Sequence, residues 1–406
     1  MKVPFSPPFV DDDVKREVLE ALESGWITSG PKVAALEKLV AEYAGVQHVV
    51  CCNSATSGLA LMLHWFGIGP GDEVIIPAYT YAATALVVLH AGATPVLVDS
   101  GVDFNIDVRE IKAKITTRTK AIIPVDIAGW PCDYDALNAL VESPEIKALF
   151  KPSSDHQSRL GRIMLLSDAA HSIGASYKGK RTGSLADFTV FSFHAVKNVT
   201  TAEGGAVCIR LPESRFDGES VRRQLKLWTL NGQTKDAFTK TQGGGWRYDI
   251  VYPGFKMNMP DVCAAIGLAQ LRKYDDVMLP SRQRVFNAYS AAFAPHAWAQ
   301  LPPLQTSERI PSCHLYALRI KGISESARDE MIDHITEQGI SVNVHFQPLP
   351  LLTIFKERGY DITDYPVAFD NYAREISLPI YPGLDDETIA YIVRAVEEAY
   401  LKSAST

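Results

Sequence analysis

Between about residue 46 and residue 210, short apolar runs alternate with segments of helical period. HVVCC precedes TSGLALMLHWFG, EVIIPA precedes TALVVLHAG, TPVLVD precedes IDVREIKAKI, and KAIIPVD precedes DYDALNALVES. MLLSDAA, DFTVFSF and GAVCIRL complete the series. Strands that are apolar throughout bury both faces, and the helices between them make the crossovers. The pattern predicts an α/β fold with a mostly parallel sheet, ligand-binding residues collecting just beyond the strands' carboxyl ends. KPSSDHQSRLGR, at 151–162, breaks the alternation with polar residues and reads as a surface insertion or loose loop.

Beyond about residue 275 the character changes. DDVMLPSRQRVFNAYSAAF reads as a long helix, followed by strand HLYALRI, helix SARDEMIDHITEQ, strand ISVNVHF and a final helix DETIAYIVRAVEEAYL. This predicts N-terminal helices and a large domain over 1–274 and a smaller α+β domain over 275–406. No internal repeat or heptad pattern is visible.

The 406 residues call for more than one core, and 47% hydrophobic with 21% charged residues is ordinary for a globular chain. A net charge of -7 argues against a general nucleic-acid binder. No apolar run approaches a membrane span, and MKVPFSPPFVDDDVKREV lacks a signal peptide's hydrophobic stretch, so a cytoplasmic enzyme is expected. Cys51, Cys52, Cys132, Cys208, Cys263 and Cys313 show no ligand spacing, which predicts buried free thiols and no metal site.

FSFHAVKNVTTAEGGA, at 191–206, carries the chemistry that needs explaining. Lys197 follows a buried-looking strand, where a desolvated ammonium is costly unless it has altered acidity or a covalent partner. Asp168 ends the preceding strand. Taken singly, Lys197 reads as a surface lysine, Asp168 as a cap and His171 as a core-edge histidine. Together, a lysine and a carboxylate after successive strands fit pyridoxal phosphate. The amine would condense with its aldehyde and the carboxylate would keep its ring nitrogen protonated. CNSATSGLALML offers backbone N–H groups of Ala55 and Thr56 at a helix start for the phosphate, with hydroxyls from Thr56 and Ser192. An ordinary cap by Asn53 or Ser54 explains the same residues. Tyr81 in PAYTYAATAL is placed to stack on a flat ring or simply to pack.

Nearly the whole chain resembles the DegT/DnrJ/EryC1/StrS family of sugar aminotransferases. The resemblance rests on SGWITSGPKVAALEKLVAEYAG, NSATSGLALML, GPGDEVIIPAYTYAATA, PVDIAGWPCDYDAL, SDAAHSIGASYKGKRTGSLADFTVFSFHAVKNVTTAEGGAV, PGFKMNMPDVCAAIGLAQL and REISLPIYP, in the family's order and spacing. It implies the type I aspartate-aminotransferase fold, with Lys197 as the imine-forming lysine and Asp168 as the partner of the ring nitrogen. It further implies that His171 contacts the ring's phenolic oxygen, that Ala55, Thr56 and Ser192 hold the phosphate, and that Tyr81 stacks on the ring. Lys256 and Asn258, in GFKMNM, are implied to reach the phosphate of a neighbouring subunit, so a homodimer with shared sites is expected.

The implied reaction moves an amino group from L-glutamate to a nucleotide-linked ketosugar by way of pyridoxamine phosphate. A 4-keto-6-deoxyhexose is the preferred acceptor and a 4-keto pentose the next. The aminosugar would serve surface polysaccharide or secondary-metabolite synthesis. Arg247, Lys256 and His345 are candidate donors to the nucleotide's diphosphate. Two positions depart from the family pattern: Asp126 stands where many relatives have histidine, and Asn231-Gly232 where many have His-Gly. GGGW, just after, reads as a mobile substrate loop or a plain turn. Rival readings are a pyridoxamine-dependent sugar dehydratase, another type I enzyme such as a decarboxylase or lyase, and a regulatory protein. Lys197 counts against the dehydratases, which carry histidine there.

Overall fold

The structure, a computed structural model, describes residues 2–234 and 248–403. GGGW and Arg247 lie outside them. The predicted apolar runs form a sheet of seven strands: β1 (His48–Cys52), β2 (Glu73–Pro77), β3 (Thr94–Val98), β4 (Thr119–Ile122), β5 (Met164–Asp168), β6 (Phe188–Ser192) and β7 (Gly205–Ile209). Their spatial order is β1-β7-β6-β5-β4-β2-β3. From β3 across to β6 every pairing is parallel. β7 runs antiparallel between β6 and β1. The mostly parallel α/β architecture expected from the sequence is therefore present.

Successive side chains of one strand serve opposite faces. Val50, Cys52, Val190 and Val207 join a core with Leu59 and Trp65. Val49, Cys51, Phe191 and Cys208 face the other way, onto Val33, Leu36, Val40 and Leu268. That second face is covered by the helices Pro31–Ala44 and Asp261–Leu271, the latter also carrying the N-terminal helix Asp12–Glu23. The N-terminal helices thus pack on the large sheet. The acidic start of Asp12–Glu23 is tied down as well, Asp11 and Asp13 pairing with Lys273 just beyond the covering helix. Of the described residues before the helix Asp12–Glu23, Val3 alone belongs to the other core, which gathers Val285, Tyr289, Tyr316, Leu318, Met331 and Ile392.

Two expectations need correction. Residues 151–162 are not a loose loop: Asp155–Leu160 is a helix capped by Ser154, whose Oγ accepts from the Gln157 N–H. Its polar residues are bonded inward, Ser154 Oγ (2.8 Å) and Gln157 Nε2 (3.0 Å) both donating to the Phe66 carbonyl. His156 stacks on Trp65 at 4.1 Å between ring centroids. The run ISVNVHF forms only isolated bridges, Ile340 to Val3 and Asn343 to Ser377. Its His345 N–H donates to the Glu375 carboxylate and its carbonyl accepts from the Tyr79 hydroxyl, so side chains take the groups a strand ladder would use. The six cysteines are free, as expected, and all but Cys263 are buried.

The glycine-rich entry to β7 has a steric cause. A Cβ on Gly205 would lie 2.6 Å from the Ala55 nitrogen and 2.8 Å from the Phe191 carbonyl oxygen, both backbone atoms. Only glycine lets β7 pass this close to the start of the helix Ala55–Trp65. Gly205→Ala should therefore lower stability by about 1–3 kcal/mol, read as a drop in the denaturant midpoint. An unchanged midpoint would mean that the helix start yields freely.

Candidate active site

The loops after β1, β2, β5 and β6 converge on one cavity of about 460 Å³, lined by residues that include Thr56, Tyr81, Asp168, His171, Ser192 and Lys197. Ala55 lines it too. Seven of the nine predicted site residues are brought together here, by the rule that parallel strands present ligands from their carboxyl ends.

Asp168 ends β5 and is 6% exposed. Its Oδ2 accepts from Thr84 Oγ1 (2.8 Å) and its Oδ1 from the Ala170 N–H (3.2 Å). Burial raises its pKa, while those two donors and the charge of Lys197 oppose the rise. An ionised carboxylate has about four acceptor positions, so capacity remains for a donor in the cavity.

Lys197 lies in the turn after β6, its N–H bonded to the His194 carbonyl at 2.9 Å. Burial pushes its pKa down to about 8, against the pull of Asp168 in the opposite direction. A substantial neutral fraction of amine therefore exists near neutrality, as a nucleophile requires.

His171 is buried, and its Nδ1 accepts from the Ala128 N–H at 3.2 Å. The proton of a neutral ring consequently sits on Nε2. Burial is the main cause of a pKa well below the ordinary value, with Lys197 and His345 adding to it. The seat of His171 is the PVDIAG segment. Asp126 is fully buried there, accepting from the Cys132 N–H (2.8 Å), Ser172 Oγ (2.7 Å) and Tyr134 Oη (2.9 Å). Burial raises its pKa to about 6 against those donors. Asp126 is thus a carboxylate that ties Cys132, Tyr134 and Ser172 together beside His171.

At the opposite end, Ser54 caps the helix Ala55–Trp65 by accepting from the Ser57 N–H at 3.0 Å, and Asn53 Oδ1 accepts from Ser57 Oγ at 2.6 Å. The capping alternative is thus real, and it leaves Ala55 and Thr56 as the first residues of the helix, beside Ser192 at the end of β6. Oriented N–H groups and hydroxyls at a helix start suit an anion. Tyr81 is 64% exposed, its ring tilted against Phe346 at 5.8 Å. The combination of amine, buried carboxylate and anion cradle fits a flat heteroaromatic aldehyde bearing a phosphate.

Lys256 and Asn258 are not among the residues lining this cavity. Lys256 bridges Leu230, and Asn258 Nδ2 donates to Ser29 Oγ at 2.7 Å. The other departure, Asn231-Gly232, is a turn with left-handed backbone at both residues (φ 59° and 69°). Asparagine tolerates this better than most residues.

The sequence reading missed His314. It is buried 4.3 Å from the His171 ring and bonded through Nδ1 to Asn198 Oδ1 at 2.9 Å. No spacing signal connects residue 314 to residue 171; only the fold does. His345 does reach the cavity, but burial, and then Lys197, push its pKa to about 3. It offers a hydrogen bond there, not the charge expected of a diphosphate partner.

A model of the DegT/DnrJ/EryC1/StrS aminotransferase family matches residues 8–397. The spore coat polysaccharide biosynthesis protein SpsC of Bacillus subtilis is 36% identical over 405 residues, covering 98% of this chain and 96% of that protein. Among solved structures, Spr1654 of Streptococcus pneumoniae, assigned to the sugar aminotransferases, is similar in its PMP form with a TM-score of 0.94 and 43% identity, over 99% of this chain and 100% of that one. Helicobacter pylori PseC, an aminotransferase involved in the biosynthesis of pseudoaminic acid, is similar with a TM-score of 0.86 and 28% identity, over 99% of this chain and 100% of that one.

The acidity of Lys197 is open to direct test. Amine-selective labelling of the cofactor-free protein, quantified at Lys197 by peptide mass spectrometry, should rise with pH through a midpoint near 8. Asp168→Asn removes the charge that favours the ammonium and should move that midpoint lower. A midpoint near about 10.4, ordinary for lysine, would refute the assignment.

Proposed function

Because the chain belongs to the DegT/DnrJ/EryC1/StrS aminotransferase family, we propose that it is a pyridoxal-phosphate-dependent transaminase moving an amino group from L-glutamate to a nucleotide-linked ketosugar. One observation carries the reading: the amine of Lys197, held near pKa 8, shares a cavity with buried Asp168 and a helix-start anion cradle. The solved structures of Spr1654 in PLP and PMP forms support the cofactor.

When bound, pyridoxal phosphate supplies an aldehyde for amine condensation and a protonated ring that accepts the electron pair left on removal of a proton. Lys197 Nζ would be the nucleophile that the aldehyde requires and, as a neutral amine, the base that moves a proton at the donor's α-carbon. Asp168 would hold the ring nitrogen protonated, and His171 would donate from Nε2 to the ring oxygen. Ala55, Thr56 and Ser192 would hold the phosphate, and Tyr81 would cover the ring. With the acceptor bound, the same lysine would move a proton in the reverse sense.

A 4-keto-6-deoxyhexose on a nucleoside diphosphate is the preferred acceptor. This choice rests on the family likeness of NSATSGLALML and PGFKMNMPDVCAAIGLAQL, which would shape the phosphate end and the seam of a homodimer. The product would enter surface polysaccharide or secondary-metabolite synthesis, in line with the name of SpsC. The setting is taken as cytoplasmic; no described helix is long and apolar enough to cross a membrane. Lys256 and Asn258 lie away from the chain's own cavity, which supports their serving the second subunit of a homodimer.

Lys197→Ala should abolish multiple turnover and the visible absorbance of the holoenzyme. Asp168→Asn should keep the fold and cost several orders of magnitude in rate; near-normal turnover would make that carboxylate merely structural. Mixing Lys256→Ala with Lys197→Ala should restore activity, since a hybrid has one site with neither defect. No recovery despite proven subunit exchange would contradict sharing. Matched 3-keto and 4-keto nucleotide sugars, with the new amine located by NMR, test the acceptor, and amination only at carbon three would overturn the 4-keto choice.

A further inference from the structure

The first residues of the chain cross the active-site cavity. Val3 is bonded into the C-terminal part, its N–H donating to the Gly339 carbonyl (2.9 Å) and its carbonyl accepting from the Ser341 N–H (3.0 Å). Six residues later the Phe9 carbonyl accepts from Gln270 Nε2 at 2.6 Å on the large sheet's covering helix. The other end of that amide, Gln270 Oε1, accepts from the Thr200 N–H at 2.8 Å, in the loop that carries Lys197. The Asp11 and Asp13 pairs with Lys273 lock the segment just beyond. Residues 3–9 therefore form a strap anchored at both ends.

Between the anchors, Phe5 and Ser6 line the same cavity as Lys197. Phe5 is stacked on His345 at 5.4 Å and 23°. Ser6 Oγ donates to the Val196 carbonyl at 3.3 Å, next to Lys197 itself. His345 is in turn fixed through its backbone by Tyr79 and Glu375 and through Nδ1 by Ser377 at 2.9 Å. A partly exposed phenyl ring held this firmly on the wall of the cavity that Lys197 and Asp168 share is a preorganised apolar contact.

We infer that Phe5, held by this strap, is a specificity-determining residue: its ring packs against the apolar C–H face of the acceptor sugar. The inference rests on the ketosugar reading above. The phosphate cradle, Asp168 and Lys197 serve the steps common to donor and acceptor, whereas a phenyl wall distinguishes a bulky hexose from a small, charged amino acid. Phe5 thus acts on one half of the reaction.

The test separates the halves on the holoenzyme. Bleaching of the visible absorbance by glutamate reports the first. Steady-state KM and calorimetric Kd of the pyridoxamine form, with UDP- and dTDP-linked 4-keto-6-deoxyglucose as probes, report the second. Phe5→Ala should leave bleaching within about twofold while raising KM and Kd for the sugar about tenfold, the effect of losing one buried aromatic contact. Phe5→Tyr should restore both. An unchanged sugar KM and Kd in Phe5→Ala, or equal losses in both halves, would overturn the role. Should Phe5→Ala not fold, Phe5→Leu must raise the sugar KM and Kd selectively, and failure to do so would also overturn it. If the wild type aminates no nucleotide ketosugar, the ketosugar reading fails first, and that outcome is distinct from a wild type that turns over sugar indifferently to Phe5.

Discussion

The structure depends on keeping one amine and one carboxylate out of water at the ends of two adjacent parallel strands. Lys197 and Asp168 each pay for that burial, and each shifts toward its neutral form as a result. Their mutual attraction offsets part of the cost. Much of the surrounding architecture follows from maintaining this arrangement. Thr84 and Ala170 satisfy the carboxylate, Gln270 braces the Thr200 N–H in the lysine's loop, and Gly205 lets β7 close up behind. A site of this kind gives up stability for reactivity, a trade common where acidities must be tuned.

Three histidines gather near the pair, and all are held neutral by burial. His171, His314 and His345 have lowered pKa values, and Lys197 contributes to each shift. Neutral imidazoles can direct hydrogen bonds without adding positive charge that would further deter protonation of Lys197. The tautomer of His171 is fixed by a backbone N–H from Ala128, whose own left-handed φ of 57° belongs to the PVDIAG turn. Asp126 holds that turn from behind. It accepts from the hydroxyl of Ser172, the residue after His171, and so links the two loops.

Legibility in the sequence followed the range of the interactions. The parallel strands could be read because apolar runs such as EVIIP and FTVFS are buried end to end, and their ends put Asp168 and Ser192 at strand termini with Lys197 just beyond. The helix Asp155–Leu160 could not, because its polar residues are satisfied by a carbonyl from Phe66, far away in the chain. His314 and Phe5 were invisible for a related reason: each reaches the cavity from a remote segment, and nothing local marks the destination. ISVNVHF has the alternation of a strand but surrenders its backbone groups to Tyr79 and Glu375.

The most direct measurement is chemical trapping. The purified protein would be loaded with pyridoxal phosphate, reduced with sodium borohydride, digested and mapped by mass spectrometry. Reduction converts the lysine's condensation product into a stable secondary amine that marks its position. The account predicts the added mass on Lys197, lost from that peptide when glutamate is supplied before the reductant. The mark on any other lysine, with Lys197 unmodified, would contradict it.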